Sequence, residues 1–186
     1  MKLFFGLQLL LCFLSDSAQN SLDETVKQQL VKEWERAKAY TKEYLDAMPA
    51  DKYNSRASDS IRSFSEQMLH LSQANAAMAL FATDVQDARL QKLFFKPNFE
   101  KISHVQSKDS VIYYVTTSYD IMINAIRNLD FGKIEEVVAH DLPGGKRSAN
   151  RLAWILKAFE HQTHHRGQCT IYLRFVGARP PAEKLW

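Results

Sequence analysis

Four segments of this chain repeat their apolar side chains at helical spacing, and no pair of segments alternates convincingly as strands would. In the first, Val26, Leu30, Trp34, Ala37 and Tyr44 keep the period, from the capping-box form SLDE at residues 21–24 to Pro49. A second helix is predicted from near Ser58 through Ile61, Phe64, Met68, Leu71 and Met78. A third starts at Ser107 in SKDS and turns Val111, Tyr114, Val115, Ile121 and Ala125 inward. After the turn DLPGGKRS, a fourth runs from about Ser148 through Leu152, Ile155, Phe159 and Tyr172 to Gly177 and RPP. The stretch FFKPNFEKISHVQ, broken by Pro97, reads as a long connection between helices 2 and 3. Four amphipathic helices in one small domain predict an all-α four-helix bundle.

At 186 residues, 46% of them hydrophobic, the chain holds enough apolar material for one core and too little for two. Its 24 basic and 21 acidic residues give a net charge of +3 without a long run of either sign, which argues against nucleic acid as a partner. At the N-terminus, Lys2 precedes LFFGLQLLLCFL and then SDSAQN, the order of a secretory signal peptide. Residues 1–18 are therefore expected to be removed, by cleavage after Ser17 or Ala18, leaving an extracytoplasmic domain at residues 19–186. The apolar run is too short for a comfortable membrane span, and bulky Leu11 before Cys12 disfavours a lipoprotein. The mature chain keeps Cys169 alone, so no internal disulfide supports the fold.

The stretch EHQTHHRGQC at residues 160–169 holds three of the six histidines. At roughly 100° per residue, Trp154, Ala158, His161, His165 and Tyr172 share one stripe at the margin of the apolar arc. His164 falls about 60° to the other side, near Lys157 and Glu160. On the second helix His70 lies beside Ala74 and Phe81, again at the apolar margin. Two histidines four apart project side by side, and a third from a facing helix would close a three-nitrogen set. The pattern is not that of zincins, because Gln162 follows His161 where a glutamate would be needed.

HQTHHRGQCTIYLRFVGARPP, residues 161–181, resembles the closing signature of the DinB-like (DinB/YfiT) superfamily, in which a His-x-x-x-His pair leads into His-Arg-Gly-Gln, Tyr-Leu-Arg and Gly-x-x-Pro-Pro. DKYNSRASDSIRSFSEQMLHLSQAN, residues 51–75, is similar to the loop and second helix that carry that family's third histidine. The resemblance implies an up-up-down-down bundle, a divalent metal ion, often zinc or nickel, and frequently a homodimer. By match to these motifs, His70, His161 and His165 inherit the metal-ligand roles. Gln162 stands where many members carry an acidic residue, and Ala57 where many carry a proline. Activities across the superfamily include thiol-dependent S-transfer, isomerisation and hydrolysis, so the likeness does not choose a reaction.

Three neutral imidazoles leave open positions on a divalent ion, suited to lowering the pKa of bound water or to taking a thiolate or carbonyl oxygen. Tyr172, about a turn or two beyond His165 on the same stripe, is a candidate donor to a bound anion. Arg166 and Gln168 are expected to pack or support, Gly167 to permit close helix approach, and Cys169 to be a small buried hydrophobe. His104 and His140 fall in connections and read as surface residues. Two function classes follow: a secreted metal-dependent enzyme of hydrolase or thiol S-transferase type acting on a small molecule, or a non-catalytic, metal-stabilised interaction bundle. A solvent-open pocket at the imidazoles with a further acid–base group favours the first.

Overall fold

The computed structural model describes residues 2–83, 90, 92, 94, 96–142 and 144–186, with side chains from residue 21 onward. The side chains of residues 1–20, including Cys12 and the expected cleavage positions at Ser17 and Ala18, lie outside the described residues. Helix α1 spans Lys2–Ala47, α2 Phe64–Ala82, α3 Lys108–Asn128 and α4 Arg151–Phe175. Strands β1 (Val137–Leu142) and β2 (Gly145–Asn150) pair antiparallel between α3 and α4. The architecture is an all-α four-helix bundle with a small appended hairpin. Among the described residues, no helix is long and apolar enough to cross a membrane.

Each helix end has a local cause. Pro49 lies just past the end of α1, whose last carbonyls, those of Asp46 and Met48 at its edge, accept from Lys108 Nζ at 3.0 and 2.9 Å. α2 starts on a reciprocal cap: Glu66 N–H donates to Ser63 Oγ, and Ser63 N–H donates to Glu66 Oε2 at 2.7 Å. α3 is capped by Ser107, as the sequence predicts, and α4 by Asn150, whose Oδ1 accepts from Ala153 N–H at 2.8 Å. α4 ends in a Schellman turn: Gly177, at φ +79°, donates to the Arg174 carbonyl, and Ala178 to that of Leu173.

α2 packs against both α3 and α4, and α1 lies mainly on α3. Because α2 is covered on several sides, its buried residues include Ser65, Gln67, Ser72 and Asn75 as well as Met68, Leu69 and Leu71. Trp34 anchors the centre, with Tyr119 and Phe159 edge-on to its ring at 5.7 and 5.4 Å. Arg151, 2% exposed, joins three elements by donating to Glu136 Oε2 and to the Ala82 carbonyl.

Three expectations are corrected. SLDE does not cap a helix, because α1 continues upstream through it; Thr25 Oγ1 donates instead to the Ser21 carbonyl at 2.8 Å. α2 begins six residues after Ser58, since the Ser63–Glu66 box is the cap that forms, and Ile61 is left 41% exposed. DLPGGKRS holds the end of β1, the turn with Gly144 at φ +89° and the start of β2 rather than a bare turn. Its inner face, Val138, His140 and Leu142, is interrupted by a polar residue, which hides the alternation. Ser63→Ala removes one arm of the α2 cap and is expected to lower unfolding free energy by about 1 kcal/mol in urea titration. An unchanged midpoint would contradict the capping assignment.

Candidate metal centre

Residues 161 and 165 sit one turn apart on α4, and residue 70 lies on α2, the helix packed against it. The three rings converge. One nitrogen from each of His70, His161 and His165 lies within 4.8 Å of the other two. The Nε2 atoms of His161 and His165 are 3.0 Å apart, and the His70 ring centroid is 5.3 and 4.8 Å from theirs. Nitrogens sharing one ion at ~2.0–2.1 Å would stand roughly 3–3.5 Å apart, so a side-chain movement on the order of 1 Å draws the set together. The donor set, three imidazoles with no thiolate, suits zinc, nickel or another divalent transition ion.

The second nitrogens of two rings are engaged. His70 Nδ1 lies 3.1 Å from Glu100 Oε2, and His165 Nδ1 lies 2.8 Å from the Gln67 amide. His161 Nδ1 is buried without a protein hydrogen-bond partner among the described residues. Glu100 also accepts from Arg62 Nε at 2.9 Å. Burial alone would raise the Glu100 carboxyl, but the hydrogen bonds from His70 and Arg62 and the positive charge of Arg62 outweigh it and hold the group below its ordinary value. Desolvation, reinforced by the neighbouring imidazoles and Arg62, pushes His161 down to about 4 and His165 to about 3. Both rings are therefore neutral, the form that coordinates, at any pH near 7.

A cleft of about 700 Å³ opens to solvent beside His165. Arg56, Arg62, Glu66, Glu100, His164 and Tyr172 are among the residues that line it. It thus combines the cluster's edge with carboxylates and cations. Tyr172 donates its hydroxyl proton to the Arg62 carbonyl at 2.5 Å, fastening the segment before α2 to α4. His164 is exposed and bonds Gln168, with 3.0 Å between their Nε2 atoms, and it is not one of the three converging nitrogens.

Gln162 faces away from the cleft. Fully buried, it accepts from Tyr119 Oη at 2.8 Å and from Arg166 Nη1 at 2.9 Å. An acidic side chain there would pair with Arg166, so the glutamine does not deprive the cleft of a base. Cys169 is buried, as expected, and burial raises its thiol pKa. Gly167 is exposed with nothing within 4 Å of an added Cβ, so it does not serve close helix approach. His104 is exposed, but His140 is half-buried on β1, stacked on Phe81 at 4.3 Å and 3.2 Å from the Phe81 carbonyl. Glu100 and Gln67 escape the sequence reading. Gln67 lies three residues before His70 on α2, whereas Glu100 sits in a connection where no periodicity marks it.

An all-helical bundle with three imidazoles converging beside an open cleft defines a helical protein with a candidate metal centre. The sequence model of the DinB family matches residues 18–185, and the chain belongs to that family. Its structure is similar to that of a DinB-like protein from Bacillus cereus, with a TM-score of 0.66, 14% identity and coverage of 84% of this chain and 97% of that one. A DinB-like protein from Bacillus subtilis gives 0.61 at 16% identity, covering 85% and 96%. A conserved protein from Enterococcus faecalis gives 0.58 at 16% identity, covering 81% and 96%. No curated protein sequence matches the chain.

The depressed histidines give the metal-free protein a defined pH dependence. Below the ordinary value of 6.5 the unfolded chain takes up protons that folded His161 and His165 refuse, so stability falls as pH drops from about 6.5 towards 4. Above 6.5 the two groups contribute nothing to the slope. In chelator-treated protein, His165→Phe should flatten part of this acid limb of the melting-temperature profile. An equally steep limb in the variant would refute the assignment.

Proposed function

We propose that His70, His161 and His165 hold a divalent metal ion, zinc or nickel, and that the protein is an exported metal-dependent enzyme of hydrolase or thiol S-transferase type. The observation that carries this reading is the convergence of three nitrogens within 4.8 Å, one of them on His165, which lines an open cleft of about 700 Å³. An interaction bundle that used metal only as a staple would have no need of that cleft. When bound, the ion supplies Lewis acidity at a small-molecule substrate or a nucleophile.

The chain's own residues supply the rest. His161 and His165 stay neutral through desolvation and so remain donors rather than charges. Glu66, at the cleft wall and 3.2 Å from Arg56, is a carboxylate placed to take or return a proton, whereas Glu100 has both oxygens committed to Arg62 and His70. Arg56 and Arg62 give an anionic substrate group a place to bind.

Two measurements test this. Added zinc or nickel should raise the melting temperature of chelator-treated protein at pH 7.5, by an amount equivalent to about 2.7 kcal/mol at a hundredfold excess over Kd. His70→Ala and His165→Ala should abolish the rise, and His164→Ala should keep it; a His164→Ala variant that alone loses metal would reverse the ligand assignment. Loaded protein should turn over a member of a panel of esters, amides and thiol electrophiles. Tight binding without turnover across the panel favours the non-catalytic bundle.

Export rests on the order of charge, apolar run and small residues at the start, and is consistent with a family match that begins at residue 18. Intact mass of protein recovered from an extracytoplasmic fraction should correspond to a chain starting at Ala18 or Gln19. Retention of residues 1–17 without lipid would overturn it.

A further inference from the structure

We propose that Glu100 is a positioning residue that holds His70 in the one tautomer able to present Nε2 to His161 and His165. The proposal rests on the three-histidine metal reading above and adds to it a residue from outside the two histidine-bearing helices. Glu100 Oε2 stands 3.1 Å from His70 Nδ1. An ionised carboxylate can only accept, so a proton must sit on Nδ1, and in the neutral ring Nε2 then keeps its lone pair. With Nδ1 engaged, Nε2 is the nitrogen left to join the cluster.

The carboxylate is itself held in place. Its other oxygen accepts from Arg62 Nε at 2.9 Å, and its side chain is only 15% exposed. Behind it, the Glu100 carbonyl accepts from Gln106 Nε2 at 2.8 Å, and neighbouring Phe99 is 1% exposed in a short turn packed on α2. Arg62 is anchored in turn by Tyr172, whose hydroxyl donates to the Arg62 carbonyl at 2.5 Å. A chain of contacts therefore runs from α4 through Tyr172, Arg62 and Glu100 to His70 on α2, and closes on His161 and His165 of the same α4.

Gln67 makes the contrast. Its amide lies 2.8 Å from His165 Nδ1, but an amide offers a donor on one side and an acceptor on the other. With the nitrogen towards the ring, His165 carries its proton on Nε2 and can share it with His161 Nε2, 3.0 Å away. A half-turn of the amide presents the oxygen, moves the ring proton to Nδ1 and frees Nε2 for a metal. Gln67 thus permits either tautomer of His165, whereas Glu100 imposes one on His70. His70 is the fixed ligand about which the α4 pair adjusts.

The test uses the full domain in both metal-free and zinc-titrated forms. Long-range proton–nitrogen correlation spectra of metal-free wild type should show His70 with its proton on Nδ1. Glu100→Gln keeps the volume and, with its amide oxygen on Arg62 Nε, turns its NH2 towards His70 Nδ1. It should shift His70 towards the Nε2-protonated tautomer and weaken zinc several-fold. Glu100→Ala should weaken zinc by about 10–100-fold. Should Glu100→Ala fail to fold, Glu100→Gln decides alone. The proposal is overturned if wild-type His70 carries its proton on Nε2, or if both variants bind zinc as wild type does. Wild type that binds no zinc would sink the metal reading, and the tautomer spectra would still decide what Glu100 does to His70.

Discussion

Two ring nitrogens with lone pairs pointed at each other repel, so the 3.0 Å between Nε2 of His161 and Nε2 of His165 requires a proton or a cation between them. A single proton serves two rings. A third ring, His70, arrives from the helix packed opposite, and a single cation is able to engage all three at once. Desolvation disfavours the alternative of charging the rings themselves, because His161 and His165 resist protonation down to about 4 and 3. The seam between α2 and α4 thus gathers neutral donors around one point.

The rest of the bundle keeps that seam in register. α4 carries two pairs of residues four apart and offset by one position. His161 and His165 face His70 on α2, and His165 also lines the cleft. Gln162 and Arg166 face inward, where Arg166 Nη1 donates to Gln162 Oε1 and Thr41 Oγ1 and its guanidinium lies 4.6 Å from the Tyr40 ring centroid. Tyr119 on α3 joins the same network through Thr41 at 2.7 Å and Gln162 at 2.8 Å. Breaking one member of a buried polar network strands the others, so the inner face fixes the rotation of α4 about its axis. That rotation decides where the histidines point.

Helical period alone revealed much of the site. Four residues separate His161 from His165, one turn, and His164 leaves the stripe by the same arithmetic. The inward aim of Gln162 follows from that wheel too, since adjacent residues diverge by about 100°. The start of α2 was blurred because serines at 58, 60 and 63 all compete as caps, and only Ser63 has a glutamate three residues on that closes a box within the observed helix. The hairpin was hidden by His140 on its inner face, where an apolar residue would have shown the period. Glu100 had no local signal at all. It lies thirty positions from His70, in a connection whose path is set by Phe99 burying itself against α2 and by Arg62 reaching across, and neither constraint is local in the sequence.

The central claim is that one ion is bound by three imidazole nitrogens at the α2–α4 seam. Diffraction from crystals of zinc-loaded protein, collected on both sides of the zinc absorption edge, tests it most directly. The account predicts one anomalous peak within ~2.0–2.2 Å of nitrogens of His70, His161 and His165, with Glu100 still on His70 Nδ1. A peak at His164, a peak held by only the α4 pair, or fully loaded protein with no peak at this seam would contradict it.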